Sequence, residues 1–436
     1  MKEQVKIPTG KVRRATRFLA TGAKVGGNYV KHYTKKVLTG DSDETDLHQS
    51  NAEDIFESLS ELKGSVLKVA QMLSLDKQAL PVEYLRKFSE AHYQTPPLSY
   101  PLVVRTFRQE LGCSPSDFFD TFSKNAVNAA SIGQVHRATK EGKTLAVKIQ
   151  YPGVAQSVSS DLKMAYPIAK TLFKMNPQDL QQYMKEVEEK LLEETDYQLE
   201  LERSIDLSQR CAHLDNLVFP TYYPQWSSKR IITMDWQPGC HLEEWLEKSA
   251  DQETRNRIGQ TLWDFYQYQI HHLRQLHADP HPGNFIVRDN GQVAVIDFGC
   301  IKELPEDFYH SYFKLLDPQQ LNHPNLRESL FLELGFLHQD DEPQHREFFE
   351  RTFTESIELL GRPFFQEYFD FSDSGYFEEI YEMGSELSKA PQMRNSKHGR
   401  GSRHGLYLNR TYFGLYYLLH HLGAKVQTQR FLPGNS

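Results

Sequence analysis

Apolar residues recur every three or four positions from Glu53 onward, at Ile55, Leu59, Leu62, Val66, Leu67, Val69, Ala70 and Leu73, and predict one amphipathic helix that Pro81 ends. The polar, acidic run from Asp41 to Ala52 before it reads as a linker. Pro101 to Leu111 reads as a further helix, stopped at Gly112. The pattern then turns to alternation: Ala130 to Thr139 and Thr144 to Gln150 read as strands. Pro177 to Leu214, rich in Glu, Lys, Leu and Gln, reads as one long helix, on which Asp196 and Glu200 share a face while Glu194 lies to one side. Arg230 to Trp236 reads as a strand ending at Pro238-Gly239, a natural hinge. Helical periodicity dominates from Glu243, broken by a loop from His277 to Asn284 with flanking strands. Arg394 to Gly405, rich in Gly, Ser and basic residues, reads as a mobile loop before an aromatic helix from Leu406 to Leu422.

Composition narrows the class. The chain has 436 residues, enough for two or three cores, with 39% hydrophobic residues and a mean hydropathy of -0.61. No apolar run approaches the roughly 18 residues that a membrane span needs. Cys113, Cys211, Cys240 and Cys300 stand far apart, which suggests neither a zinc site nor a disulfide framework and fits a reducing compartment. Residues 1 to 38 carry ten Lys or Arg and one acid, Glu3, so against a whole-chain charge of -8 the remainder stands near -17. Phe18, Leu19, Val25 and Tyr29 intersperse those basic residues, a pattern suited to peripheral contact with an anionic membrane or to a solvated basic arm.

Four segments carry chemistry, in the chain order of a protein-kinase phosphoryl-transfer site. Lys148 ends an alternating apolar strand, where its ammonium can meet phosphate oxygens. Glu194, Asp196 and Glu200 offer the carboxylate that positions it. Asp279 precedes Asn284 by five residues, the interval of a kinase catalytic loop, so the carboxylate can orient a hydroxyl or water while the amide oxygen ligates metal. Asp297, in Asp297-Phe298-Gly299, follows an apolar run and suits Mg²⁺ as a hard oxygen donor. Taken singly, each has a plain structural reading: a strand lysine, a solvated helix face, a capped Pro-rich turn, a strand-to-turn Asp. Before Lys148 no G-x-G-x-x-G occurs; the turn reads Asn128-Ala129-Ala130-Ser131-Ile132-Gly133-Gln134, and alanines lack the positive-φ freedom with which glycines wrap phosphates. After Asp297 no A-P-E-like segment follows, so a peptide-docking platform is not expected.

These motifs resemble the UbiB/ADCK-type (AarF-like) atypical kinase-like family, associated with ubiquinone and other prenyl-lipid biosynthesis. The resemblance covers about residues 55 to 425 and rests on Ala129 to His136, Val147 to Val154, Glu194-Thr195-Asp196-Tyr197 and His277 to Asn284. It extends to the family's K-x-G-Q signature, matched by Lys68-Val69-Ala70-Gln71, with Ala70 for the motif glycine; Asn128 stands where alanine is usual. The resemblance implies an α+β, two-lobed protein-kinase-like fold with a helical N-terminal extension carrying the K-x-G-Q-like motif. It divides the chain into a basic segment and linker (1–52), the extension (53–125), an N-lobe (126–238) and a helical C-lobe (239–436). Lys68 and Gln71 are then autoinhibitory partners of Glu194 and Asp196, and Glu200 pairs with Lys148. Ala129, Ala130, Ser131, Lys148 and Met234 hold ATP or ADP, Asn284 and Asp297 hold Mg²⁺, and Asp279 with Lys148 and Glu200 is catalytic.

The function so implied is Mg-ATP binding with ATP hydrolysis or phosphoryl transfer in quinone or isoprenoid lipid biosynthesis, with a prenyl-lipid or quinone precursor and quinone-biosynthesis proteins as partners and no nucleic acid. The expected place is a bacterial cytoplasm or a mitochondrial matrix, peripheral on the membrane. Two alternatives are a small-molecule kinase of the aminoglycoside or choline kinase type, which lacks the K-x-G-Q helix and Ala-rich turn, and a nucleotide-binding scaffold or lipid chaperone without turnover.

Overall fold

The computed structural model describes residue 24 and residues 49–55, 98–129, 132–172, 177–248, 250–394, 396 and 398–431. Lys68, Gln71, Ala130, Ser131 and, Lys24 apart, the basic start lie outside the described residues. The chain forms two compact units, Met1–Leu201 with Thr221–Trp236, and Glu202–Pro220 with Gln237–Ser436.

The first unit is built on a sheet. Strands β1 (Gly133–Lys140) and β2 (Lys143–Gln150) form a hairpin closed by Glu141 and Gly142, both at positive φ (52° and 74°). Alternation on β2 sends Leu145, Val147 and Ile149 to one face, where they join Val103 and Phe107 of α1 (Tyr100–Leu111) in a buried apolar cluster with Phe119 and Trp226. Gly112 ends α1 in the left-handed conformation, at φ 75°. The same alternation turns Ala146, Lys148 and Gln150 to the other face, so Lys148 is set by the strand whose other side builds the core. Two helices, α2 (Val154–Leu172) and α3 (Pro177–Glu194), then pack on each other.

The run from Pro177 to Leu214 is not one helix. It breaks after Glu194, and α4 (Tyr197–Arg210) begins anew, with the exposed Asp196 side chain accepting hydrogen bonds from the amides of Gln198 (3.2 Å) and Leu199 (3.1 Å). An aspartate that satisfies the orphan amides of a helix start competes with helix continuation. Asp196 is therefore a cap, and the shared-face reading with Glu200 does not hold. The unit's division falls inside α4. Strand β3 (Ile231–Asp235) pairs antiparallel with β2, Met234 opposite Ala146. The linker reading also ends early: residues 49–55 are helical, with Asn51, Ala52 and Ile55 buried.

The second unit is mainly helical. In α5 (Gln252–Tyr268), Ile258, Leu262, Trp263, Phe265 and Tyr266 are buried, and a π-type turn over Gln269–Leu273 ends at Arg274, at φ 53°. Two small antiparallel ladders follow: β4 (Gln275–His277) pairs with β7 (Ile301–Glu303), and β5 (Phe285–Val287) with β6 (Val293–Val295). Beyond them lie α6 (Pro343–Gly361), α7 (Ser374–Lys389) and α8 (Arg403–Leu422).

The segment from Arg394 to Gly405, expected to be mobile, is fastened along its described part. The Arg400 guanidinium, 6% exposed, forms a bidentate pair with Asp341 (2.7 and 2.6 Å), itself 4% exposed, and lies 3.8 Å over the Phe349 ring. The Arg400 hydrogen bonds draw the Asp341 carboxyl down to about 2. The Gly401 amide donates to Gly335 (2.8 Å). Ser402 caps α8 by accepting from the Gly405 amide, so the helix starts three residues before Leu406. Composition announced a mobile loop; a loop is there, and a buried arginine fastens it.

Candidate active site

In the first unit, Lys148 Nζ lies 2.6 Å from Glu200 Oε1, with side chains 13% and 6% exposed. The ammonium also stands 5.2 Å from the centroid of the Tyr197 ring, within reach of a cation–π contact. Two residues along β2, Gln150 donates through Nε2 to the Thr195 carbonyl (2.8 Å). One face of β2 thus grips the α3–α4 junction twice. The pair is tight because it is buried and charge-assisted, and removing either partner leaves a buried charge.

Gly133 completes this arrangement. A Cβ there would stand 2.6 Å from the Tyr197 hydroxyl and 2.8 Å from the Ile149 carbonyl oxygen, so only glycine lets β1 approach the helix that carries Glu200. Sequence reasoning weighed this turn for phosphate wrapping and passed over Gly133, Gln150 and Tyr197. The signal present was the lone glycine after an alanine pair. Glu194 is buried, and Ala129 lies half-buried on a short strand opposite Gln134 of β1.

The second unit brings together Asp279, Asn284 and Asp297. Their loops hang between paired strands, residues 278–284 from β4 to β5 and 296–300 from β6 to β7. Backbone bonds lace the loops: Ala278 N donates to Cys300 O (2.8 Å) and Ile296 N to Asn284 O (3.1 Å). The buried His277 ring bonds the Asp297 carbonyl through Nε2 (2.9 Å) and the Tyr266 hydroxyl through Nδ1 (3.3 Å), while its amide donates to Gln269 Oε1 (3.0 Å). The π-type turn thereby reaches the start of the 278–284 loop through one glutamine. Gly299 N donates to Asp297 Oδ1 (2.8 Å), which fixes that carboxylate's rotamer. Gly414, in mid-α8, admits the loop's Pro280: a Cβ would stand 2.2 Å from Pro280 Cγ.

Asn284 Nδ2 donates to the Asp279 carbonyl (2.8 Å), and its Oδ1 makes no hydrogen bond among the described residues. An oriented amide oxygen in a loop laced to that of Asp297 is a hard donor set of the kind magnesium takes. Among the described residues no group of three or more His, Cys, Asp or Glu could hold a metal by itself.

The chain matches the family of the ABC1 atypical kinase-like domain over residues 90–322, more than half its length. The chain belongs to the ABC1 atypical kinase-like family. It is 28% identical over 387 residues to the probable serine/threonine-protein kinase abkA of Dictyostelium discoideum, covering 84% of this chain and 68% of that protein. It is 27% identical over 438 residues to the mitochondrial atypical kinase COQ8 of Saccharomyces cerevisiae, covering 96% and 83%. Several other ABC1-family relatives are longer, and the chain spans less than two thirds of them. Among solved structures, that of Rv3197 from Mycobacterium tuberculosis in complex with erythromycin aligns with TM-score 0.62 and 26% identity, over 89% of this chain and 97% of that one. The fold is accordingly α+β and kinase-like, as expected. No helix among the described residues is long and apolar enough to cross a membrane.

Proposed function

We propose that this chain is an atypical kinase-like ATPase that binds Mg-ATP or ADP and serves quinone or prenyl-lipid biosynthesis. The observation that carries the reading is the loop pair of the second unit, where Asp279, the oriented Asn284 amide and Asp297 are laced together by backbone bonds. The first unit offers, in its Lys148–Glu200 pair, a cation of the kind that phosphate oxygens take. Lys148 would hold phosphate oxygens, with Glu200 keeping its ammonium charged and aimed. Asn284 and Asp297 would hold the magnesium, which when bound offsets phosphate charge. Asp279, at the loop's start, would orient the attacking hydroxyl or water. Ala129, Ala130, Ser131 and Met234 complete the nucleotide contacts, and Lys68 and Gln71 restrain the site through Glu194 and Asp196. The basic start draws the chain to anionic membrane surfaces of the cytoplasm or matrix, where prenyl lipids reside.

Phosphate release from ATP with Mg²⁺, compared between the chain and Asp297→Asn, tests the turnover. Release abolished by the substitution supports an enzyme; binding without release in either protein replaces it with a scaffold. A quinone and precursor profile of a deletion strain tests the pathway: an unchanged profile sinks it.

A further inference from the structure

Helix α8 buries Leu408, Thr411, Tyr412, Leu415, Leu418, Leu419 and Leu422 in the second unit. Its opposite stripe runs Arg403, Leu406, Arg410, Phe413, Tyr417 and His421, successive steps of three or four that keep all six on one line of the helix. Leu406, Phe413 and Tyr417 are 57%, 43% and 55% exposed, although Phe and Leu side chains ordinarily turn inward. Arg410, between them, makes no ion pair among the described residues. After Glu386 the chain carries no Asp or Glu and eight Lys or Arg, of which Arg400 and Arg430 are paired with acids of the same unit.

We propose that this stripe is a docking surface for an anionic lipid bilayer, separate from the basic start of the chain. Large apolar side chains on one line with the half-buried Arg410 let the rings and Leu406 enter the headgroup boundary while the Arg410 guanidinium meets a lipid phosphate. The helix itself stays embedded in its unit, so only the side chains reach the lipid. A protein partner fits less well: one seam of three apolar side chains falls short of the roughly 800 Å² per partner that a stable interface buries. Partial burial and, after it, the nearby Glu243 charge push the Tyr417 phenol up, and Glu243 is an acid that opposes an anionic surface there.

The test is flotation of the full chain with phosphatidylcholine vesicles, with and without phosphatidylglycerol. Retention is expected only with phosphatidylglycerol and is released by salt. Arg410→Glu, and separately Phe413→Asp with Tyr417→Asp, should each lower partitioning by roughly tenfold, while Glu243→Gln raises it. Tyr368→Asp, at a site 50% exposed on another element of the same unit, is the control and should change nothing. Circular dichroism establishes that each variant is folded. Partitioning unchanged in the α8 variants but lost when the basic residues of 1–38 are reversed overturns the proposal. So does a fall in the chain's self-association, seen by light scattering, with vesicle binding intact, since the stripe would then face a second copy.

Discussion

The two units hold their candidate groups by different means. In the first, Lys148 is aimed by one side-chain ion pair, 13% and 6% exposed, with Gln150 and Gly133 guarding the approach. In the second, Asp279, Asn284 and Asp297 sit on loops tied mainly by main-chain bonds between short ladders, to which the His277 ring and the Asn284 side chain add one bond each. A site aimed by side chains fails at a point. A site aimed by backbone tolerates the loss of a side chain and keeps its shape.

Lys148→Ala is the sharpest break. It strands the Glu200 carboxylate in a nearly buried position, and denaturant unfolding should show a loss of about 3–5 kcal/mol. Lys148→Met combined with Glu200→Leu should recover most of that stability without recovering nucleotide binding, and a double variant no more stable than the single refutes the buried-charge argument.

Steric breaks come next. Gly414→Ala drives a methyl into Pro280, and Gly133→Ala drives one into the Tyr197 hydroxyl; each should cost about 1–3 kcal/mol. Their functional signatures should differ, with Gly414→Ala lowering kcat through the Asp279 loop and Gly133→Ala raising KM for ATP through Lys148. Identical kinetics for the two would erase the contrast between the units.

The second unit has a buried ion pair of its own, which serves as an internal control. Asp341 has its carboxyl lowered to about 2 by Arg400, so the pair's contribution is fully present above the unfolded carboxyl value of 3.8 and is lost as pH falls from about 4 through 2. The shift amounts to ~2 kcal/mol. Arg400→Met should flatten the dependence of the unfolding midpoint on pH across that window, and an unaltered slope would count against it.

Asp297→Asn should be the mildest for the fold and the harshest for the ligand. An amide oxygen can still accept from Gly299, so stability should stay within about 1 kcal/mol. The thermal shift produced by ATP with Mg²⁺ should vanish. A shift as large as in the unaltered chain removes Asp297 from the site.

Much of this was legible in the residues. The alternation on β2 placed Lys148 opposite the core face, and the five-residue interval of Asp279 and Asn284 announced their loop. The break at Thr195 and Asp196 was hidden because Glu, Lys and Leu on both sides favour helix, and one capping side chain outweighed them. Gly133 and Gly414 were silent for another reason: their importance lies in partners that are distant along the chain, Tyr197 and Pro280. Arg400 likewise looked like one more loop cation until Asp341, 59 positions away, stood beside it.

The loop from Ala278 to Asn284 works as a ruler. Its ends are pinned by β4, locked at His277 to Ile301, and by β5, locked at Phe285 to Val295, and are drawn together where the Asn284 side-chain amide returns to the Asp279 carbonyl. Lengthening or shortening it by a single residue would leave every side chain in place as a list yet deny Asn284 its reach. Natural insertions in relatives of this chain should therefore collect on outer connections and spare this span, and a library of one-residue insertions should show the same gap.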